Sequence, residues 1–371
     1  MEYKLVQQMK AKKSKRKVFL TLALLLSCGI ASAQVTIKGN VYGGGRLGDV
    51  QNKTVGENTT INNTSVTINN GVIKGSVYGG GQGAETDEKA GLVEGNATVT
   101  MVGGQVERSI YGGGELGSVG TFTAFDQVVY PADPEVQGST AETVNVPKTC
   151  ASGTGLVTVI INGGVVGRID KAKMPDPEDD DDWGYIFAAG RGEADSIAHH
   201  KAVALAVANN TYLEINTGSL ITASVYGGSE NGLVLGNTHV KLKGGQIGVG
   251  YYKDADGDHW DNPYTDVMWT TAITAIKNGT FSAYVNPFHE CDAFPFGAAD
   301  GNYYVYDINA DQYESNGGAT MGSNGHSFFG NLFGGGSGYY PIAPGVWRRS
   351  AGRVNGNTTV DILGGHVLTS I

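Results

Sequence analysis

One glycine-rich phrase recurs along the chain: VYGGG at Val41, VYGGG at Val77, IYGGG at Ile110, VYGGS at Val225 and LFGGG at Leu332, with a worn copy, IFAAG, at Ile186. The flanking words recur with it: GNATVTMVGGQVERSIYGGG from Gly95, GNTHVKLKGGQI from Gly236 and GNTTVDILGGHVLTSI from Gly356. Successive phrases start 36, 33, 76, 39 and 107 residues apart, which reads as a base period of 33–39 residues with material inserted in the two long intervals. A chain that repeats at this interval stacks similar units, so its function is to be sought on a surface rather than in one pocket.

Within a unit the pattern has period two. Ser65-Val66-Thr67-Ile68, Thr98-Val99-Thr100-Met101, His239-Val240-Lys241-Leu242 and Thr359-Val360-Asp361-Ile362 alternate polar and apolar, as a strand with one buried face does. Gly103-Gly104, Gly163-Gly164, Gly244-Gly245 and Gly364-Gly365, with Asn69-Asn70-Gly71, then turn the chain. A short strand follows, then the Val-Tyr strand, then the glycine bend. Three short strands per unit predict an all-β fold, a parallel β-helix or β-solenoid, with a β-propeller as the alternative. Glycine supplies 58 of the 371 residues, about twice the usual share, without the every-third spacing of collagen.

Tyr42, Tyr78, Tyr111, Tyr226 and Phe333 hold one repeat position, which predicts a column of stacked rings that fills the coil. Asn96, Asn237 and Asn357 share another position, which predicts a buried Asn ladder at a corner.

Residues 1–33 read as a secretory signal peptide. Six Lys/Arg between Lys10 and Lys17 precede the apolar run Val18–Leu26, and Ala31-Ser32-Ala33 before Gln34 is a small-x-small cleavage site. Met9 is an alternative start, and lipoprotein processing at Cys28 fits less well because of Leu26. The apolar run is too short to span a membrane. The leader carries seven Lys/Arg and one acid, so removing it takes the net charge from −10 to −16. Such a surface repels nucleic acid and anionic lipid. Cys150 and Cys291 stay in the mature region, where an oxidising compartment leaves their pairing open.

Three segments interrupt the repeat, at about 121–152, 171–185 and 251–327. The second holds the acidic run Glu178 to Asp182. The third is rich in aromatic residues, and Trp260, Tyr264 and Trp269 are its candidate ligand-binding side chains. Asp254, Asp256, Asp258 and Asp261, in KDADGDHWD, have the alternating carboxylates and central glycine of a calcium loop, although Thr265 stands where such a loop ends in Glu. No other cofactor is indicated. No GxSxG, HExxH, paired CxxC or Walker loop is present, and neither His199-His200 nor His289-Glu290-Cys291-Asp292 has the spacing of a metal site, so no catalytic residue is assigned.

The phrases VYGGG, GNTTVDILGG and GNTHVKLKGG resemble glycine-rich repeats of large secreted or surface proteins of Bacteroidota-type Gram-negative bacteria. The resemblance covers most of 35–371 outside the insertions. It implies an exported, adhesin-like solenoid, secreted or associated with the outer membrane, and the aromatic third insertion, projected from such a rod, is expected to bind glycan or extracellular protein. GGHVLTSI at Gly364 matches GGQVERSI at Gly103 in register and stops where Tyr-Gly-Gly-Gly is due, so the chain reads as a piece of a longer protein ending in mid-repeat. A carbohydrate-active β-helix enzyme (a polysaccharide lyase or hydrolase) and a purely structural spacer are the competing expectations.

Overall fold

The computed structural model describes residues 35–130, 141–167, 184–193, 204–248, 330–338 and 351–367, with three short strand pairs between 252 and 347. Residues 1–35 separate from 36–371, and of that leading unit only Val35 is described.

Among the described residues every regular element is a strand, and none of the sheets closes on itself. The longest strands form a six-stranded parallel sheet in which Thr64–Ile68, Ala97–Met101, Leu156–Ile161, Asn210–Ile215, Thr238–Leu242 and Thr358–Ile362 lie in chain order. Pairing is in register, Val66 with Val99, Val99 with Val159, Val159 with Leu213, Leu213 with Val240 and Val240 with Val360. The period-two alternation sets which side is buried: Thr64, Val66 and Ile68 point in while Ser65 and Thr67 face out.

A second parallel sheet runs Thr36–Ile37, Val72–Ile73, Gln105–Val106, Gly164–Val166, Ser219–Ile221, Gln246–Ile247, His366–Val367. A third carries the recurring phrase, in the order Val41–Tyr42, Val77–Tyr78, Ile110–Tyr111, Ile186–Phe187, Val225–Tyr226, Leu332–Phe333. The three sheets contribute Val66, Ile68, Ile73, Val77 and their counterparts to one core. Each strand of the second and third sheets is two or three residues long, too short to be stable alone; lateral pairing and this shared core hold it.

A fourth line of strands departs from the three-strand expectation. Val207–Ala208, Leu233–Val234 and Arg353–Val354 pair in parallel, and single bridges Val50 to Val93 and Val93 to Val119 lie in the corresponding interval of earlier units. The Val119 amide donates to the Val207 carbonyl, joining the two sets. Val93, Ala97, Val119, Val157, Ala189, Ala208 and Val234 make a second small core behind it.

The phrase positions a column of rings. Tyr42, Tyr78, Tyr111, Phe187, Tyr226 and Phe333 stack at centroid distances of 5.0, 4.8, 5.1, 4.8 and 5.0 Å. That is the strand spacing, so the rings follow the backbone without adjustment. The glycine bends hydrogen-bond to one another in the same way, Gly80 to Gly113, Gly113 to Ala189 and Ala189 to Gly228. Thr64, Thr211 and Thr238, buried at the start of long-sheet strands, donate hydroxyls to the carbonyls of Gly79, Gly227 and Gly334.

The Asn ladder differs from expectation in burial. Asn63 Oδ1 accepts from the Asn96 amide, and Asn237 Oδ1 from the Asn357 amide, each at 2.8 Å. Asn237 and Asn357 are exposed and Asn96 is half-buried, because the side chains cap backbone amides where the chain enters the long sheet at its rim.

Additional segments leave at corners. Phe122–Tyr130 and Glu142–Cys150, inside the first expected insertion, form an antiparallel hairpin. Lys53–Val55 and Asn58–Thr60 form another. Val225 and Tyr226 pair with Leu332 and Phe333 in register although the two phrases start 107 residues apart.

Candidate functional site

The outward side of the long sheet is built by the same alternation that fills the core. Its register aligns Ser65, Thr98, Thr158, Tyr212, His239 and Thr359 in one row, and Thr67, Thr100, Ile160, Glu214, Lys241 and Asp361 in the next. Neighbours within a row are one strand apart, about 4.8 Å. The first units thus present hydroxyls and the later units ionisable groups.

The ionisable half is tied together. Tyr212 donates its hydroxyl to Glu214 Oε2 at 2.6 Å, Asn216 Nδ2 donates to Oε1 at 3.1 Å, and Lys243 Nζ lies 2.7 Å from Oε1. Asn216 also bonds Asn162 Oδ1 at 2.9 Å. His239 Nε2 is 2.8 Å from Asp361 Oδ2, and its ring meets Tyr212 edge-on, at 5.4 Å and 89°. By register Lys241 stands between Glu214 and Asp361. Two carboxylates and two ammonium groups therefore balance across the face.

The bonds from Lys243 and then Tyr212 hold the Glu214 carboxyl down at about 2, against a smaller opposing push from burial. The same Glu214, and then burial, push the Tyr212 phenol up to about 12. Glu214 stays a carboxylate with both oxygens engaged, and Tyr212 stays a donor. Because the folded carboxyl titrates below its unfolded value, its stabilisation is complete above the ordinary carboxylate range and is lost as pH falls toward about 2. Glu214→Gln is therefore expected to flatten that acid limb in melting temperature against pH while leaving the neutral region nearly level. An unchanged acid limb would rule this out.

A second polar assembly lies at the hydroxyl ends of the ring column. Tyr42 donates to Glu115 Oε2 at 2.5 Å, and Gln82 Nε2 to the same oxygen at 3.1 Å. Tyr111 donates to Glu230 Oε2 at 2.6 Å, and Asn231 Nδ2 to Oε1 at 3.2 Å. Arg191 lies between, Nη1 3.6 Å from Glu115 and Nε 3.9 Å from Glu230. Burial, first among the causes, keeps the Tyr42, Tyr78 and Tyr226 phenols protonated well above their ordinary range. The Glu230 side chain is 5% exposed, so its end of the assembly fastens units together.

Both assemblies escaped the sequence reading. The second has a plain signal, since the residue after each phrase is Arg46, Gln82, Glu115, Arg191, Glu230 or Ser337, all polar and with charges of both signs. The first has a weaker one: TYLEI at Thr211 alternates like its neighbours but lacks their wording.

Of the residues singled out in the third insertion, Trp260 and Asp261 form a strand pairing antiparallel with Tyr252–Lys253. Asp254, Asp256, Asp258, Tyr264 and Trp269 lie outside the described residues, as do Glu178 to Asp182, His199-His200 and His289 to Asp292. Among the described residues no group of three or more His, Cys, Asp or Glu is arranged to hold a metal, and no helix is long and apolar enough to cross a membrane. Cys150 is a free thiol, its Sγ 3.1 Å from Thr154 Oγ1 and its pKa pushed up by burial; Cys291 lies outside the described residues. The chain matches no protein-family model, no curated protein and no solved structure.

Proposed function

We propose that residues 34–371 are a parallel β-solenoid of an exported, non-catalytic, adhesin-like protein of a Gram-negative cell surface or its surroundings, which holds its insertions out for binding glycan or extracellular protein. The observation that carries this reading is the in-register pairing of Val225–Tyr226 with Leu332–Phe333 across the longest insertion. A scaffold that admits so much chain at a corner without losing register suits presentation. Parallel sheets running in unit order favour the solenoid over a propeller, whose blades are antiparallel meanders. The basic and apolar leader with its Ala-Ser-Ala site supports export.

The enzyme reading draws less support. A glycosidase needs one carboxyl kept protonated as the general acid. Glu214 is instead held ionised, with Tyr212, Asn216 and Lys243 on its oxygens.

An array of glycans, mucins and matrix proteins tests the proposal. The intact chain is expected to bind a subset, and a variant lacking 251–327 to lose it while keeping the parent's β-type circular dichroism. A chelator arm reports on calcium at Asp254, Asp256, Asp258 and Asp261. Depolymerisation of an arrayed glycan would replace the reading with the enzyme, and silence from the intact chain would favour the spacer.

A further inference from the structure

Resting on the reading of this chain as a binding protein, we infer that the outward side of the long sheet is itself a binding face for an uncharged polysaccharide, centred on Tyr212, Glu214, His239 and Lys241. Six parallel strands present two rows of side chains at the strand spacing, and five of the first positions are hydroxyls: Ser65, Thr67, Thr98, Thr100 and Thr158. A polysaccharide is the polymer whose own repeat is a short rigid ring bearing hydroxyls on every side. Laid across the strands, it meets a fresh pair of side chains at each strand, both polar except at Leu156–Ile161, where Thr158 is paired with Ile160.

Electrostatics narrows the class. The chain carries a net charge of −10, which disfavours a polyanion at long range. On the face itself Glu214 is matched by Lys243, and Lys241 lies between Glu214 and Asp361, so a cation gains little there either. What is left is a dense set of fixed donors and acceptors without net charge, and that suits a neutral polyol. Preorganisation adds to it. Glu214 is held by three side chains and Asp361 by His239, so ordering these groups costs little on binding. The perpendicular Tyr212 and His239 rings supply an aromatic surface against which the C–H face of a sugar ring packs. A protein partner fits less well, because Ile160 is the only apolar member of the two rows and a protein interface needs a desolvated apolar centre.

The test is affinity electrophoresis of the full chain through gels containing a soluble β-glucan, a mannan, an α-glucan or polygalacturonate. At least one neutral polymer is expected to retard the protein. Tyr212→Ala should weaken that retardation by about tenfold and Lys241→Ala by several-fold, while Val55→Ala, on the Lys53–Thr60 hairpin, runs as the parent. His239→Ala is the second probe should Tyr212→Ala melt early, and matched melting temperatures accompany each comparison. Retardation by polygalacturonate alone, or by no neutral polymer, overturns the inference. So does retardation that Tyr212→Ala and His239→Ala leave unchanged. If array binding is lost on deleting 251–327 yet survives in the Tyr212 and His239 variants, the face falls and the presentation reading stands; if the intact chain is silent on the array yet is retarded through Tyr212, the reverse holds.

Discussion

Gly164→Val is expected to lower the melting temperature by about 4 °C, and Gly163→Ala by less, since Gly163 lies outside the positive-φ region although its Cβ would also stand 3.0 Å from the Val102 carbonyl oxygen. Gly164 has φ of +95°, and a Cβ there would stand 2.7 Å from Met101 Cε, 2.8 Å from the Gly104 carbonyl oxygen and 3.0 Å from Gly103 C. The methionine end can swing aside, but the backbone of the preceding unit cannot, since the Val165 amide is bonded to that same Gly104 oxygen. A β-branched residue at positive φ costs about 1–3 kcal/mol before any clash, and the shift forced on the neighbouring strand adds to it. Over residues 36–371, about 3 kcal/mol corresponds to the drop stated. The repeat supplies its own control. Gly71, Gly104, Gly164, Gly218, Gly245 and Gly365 all have positive φ at this corner, while the residue before them is Asn70 or Thr217 in two units and glycine in the others. Thermal melts followed by circular dichroism decide it. A Gly164→Val protein that melts with the parent would mean that the corner relaxes far more freely than its stacked carbonyls suggest.

Glu230→Ala is expected to cost more than Tyr111→Phe, by about 1–2 kcal/mol. Glu230 is 4% exposed and accepts from Tyr111 and Asn231 with Arg191 beside it. Removing the carboxylate deprives a fully buried phenol of its acceptor and takes a countercharge from the guanidinium. Breaking a buried charged network by deleting one member costs about 3–5 kcal/mol. Tyr111→Phe keeps the ring between Tyr78 and Phe187 and gives up one charge-assisted hydrogen bond, about 1.5–3 kcal/mol. Phe187 shows that the column accepts a ring without a hydroxyl. Urea titration of the two variants and the double variant yields both costs and their coupling. Equal costs would show that Glu230 contributes only through Tyr111.

The two effects lie at opposite ends of what a linear reading reaches. The corner glycines stand out because each unit spells them in the same place, and a glycine that every unit keeps marks a backbone demand. The carboxylate network leaves a signal of position alone, because Arg46, Gln82, Glu115, Arg191, Glu230 and Ser337 each follow the phrase but share no chemistry that says which of them pair. Only their stacking makes alternating charge favourable. The thin fourth line of strands was likewise hidden, since single bridges at Val50, Val93 and Val119 are too short to show any period. The Asn ladder was legible as a ladder and misread in burial, because a side chain that caps a backbone amide does so as well at an exposed rim as inside.

The outward face is the clearest division between the two levels. Alternation in Thr98–Met101 or His239–Leu242 says which residues face out, since period two is a property of an extended backbone and needs no neighbour. It does not say which outward residues meet. His239 and Asp361 are 122 positions apart, and they touch only because Thr238–Leu242 and Thr358–Ile362 pair in register past an insertion. The amino-acid sequence alone thus determined the β class, the period and the inward and outward sides, all set by local backbone geometry and the hydrophobic effect. The partnership of Tyr212 and Glu214 with Lys243, the pairing of His239 with Asp361 and the burial of Glu230 were decided by the tertiary structure, because strand register and stacking order are collective properties that no single unit contains.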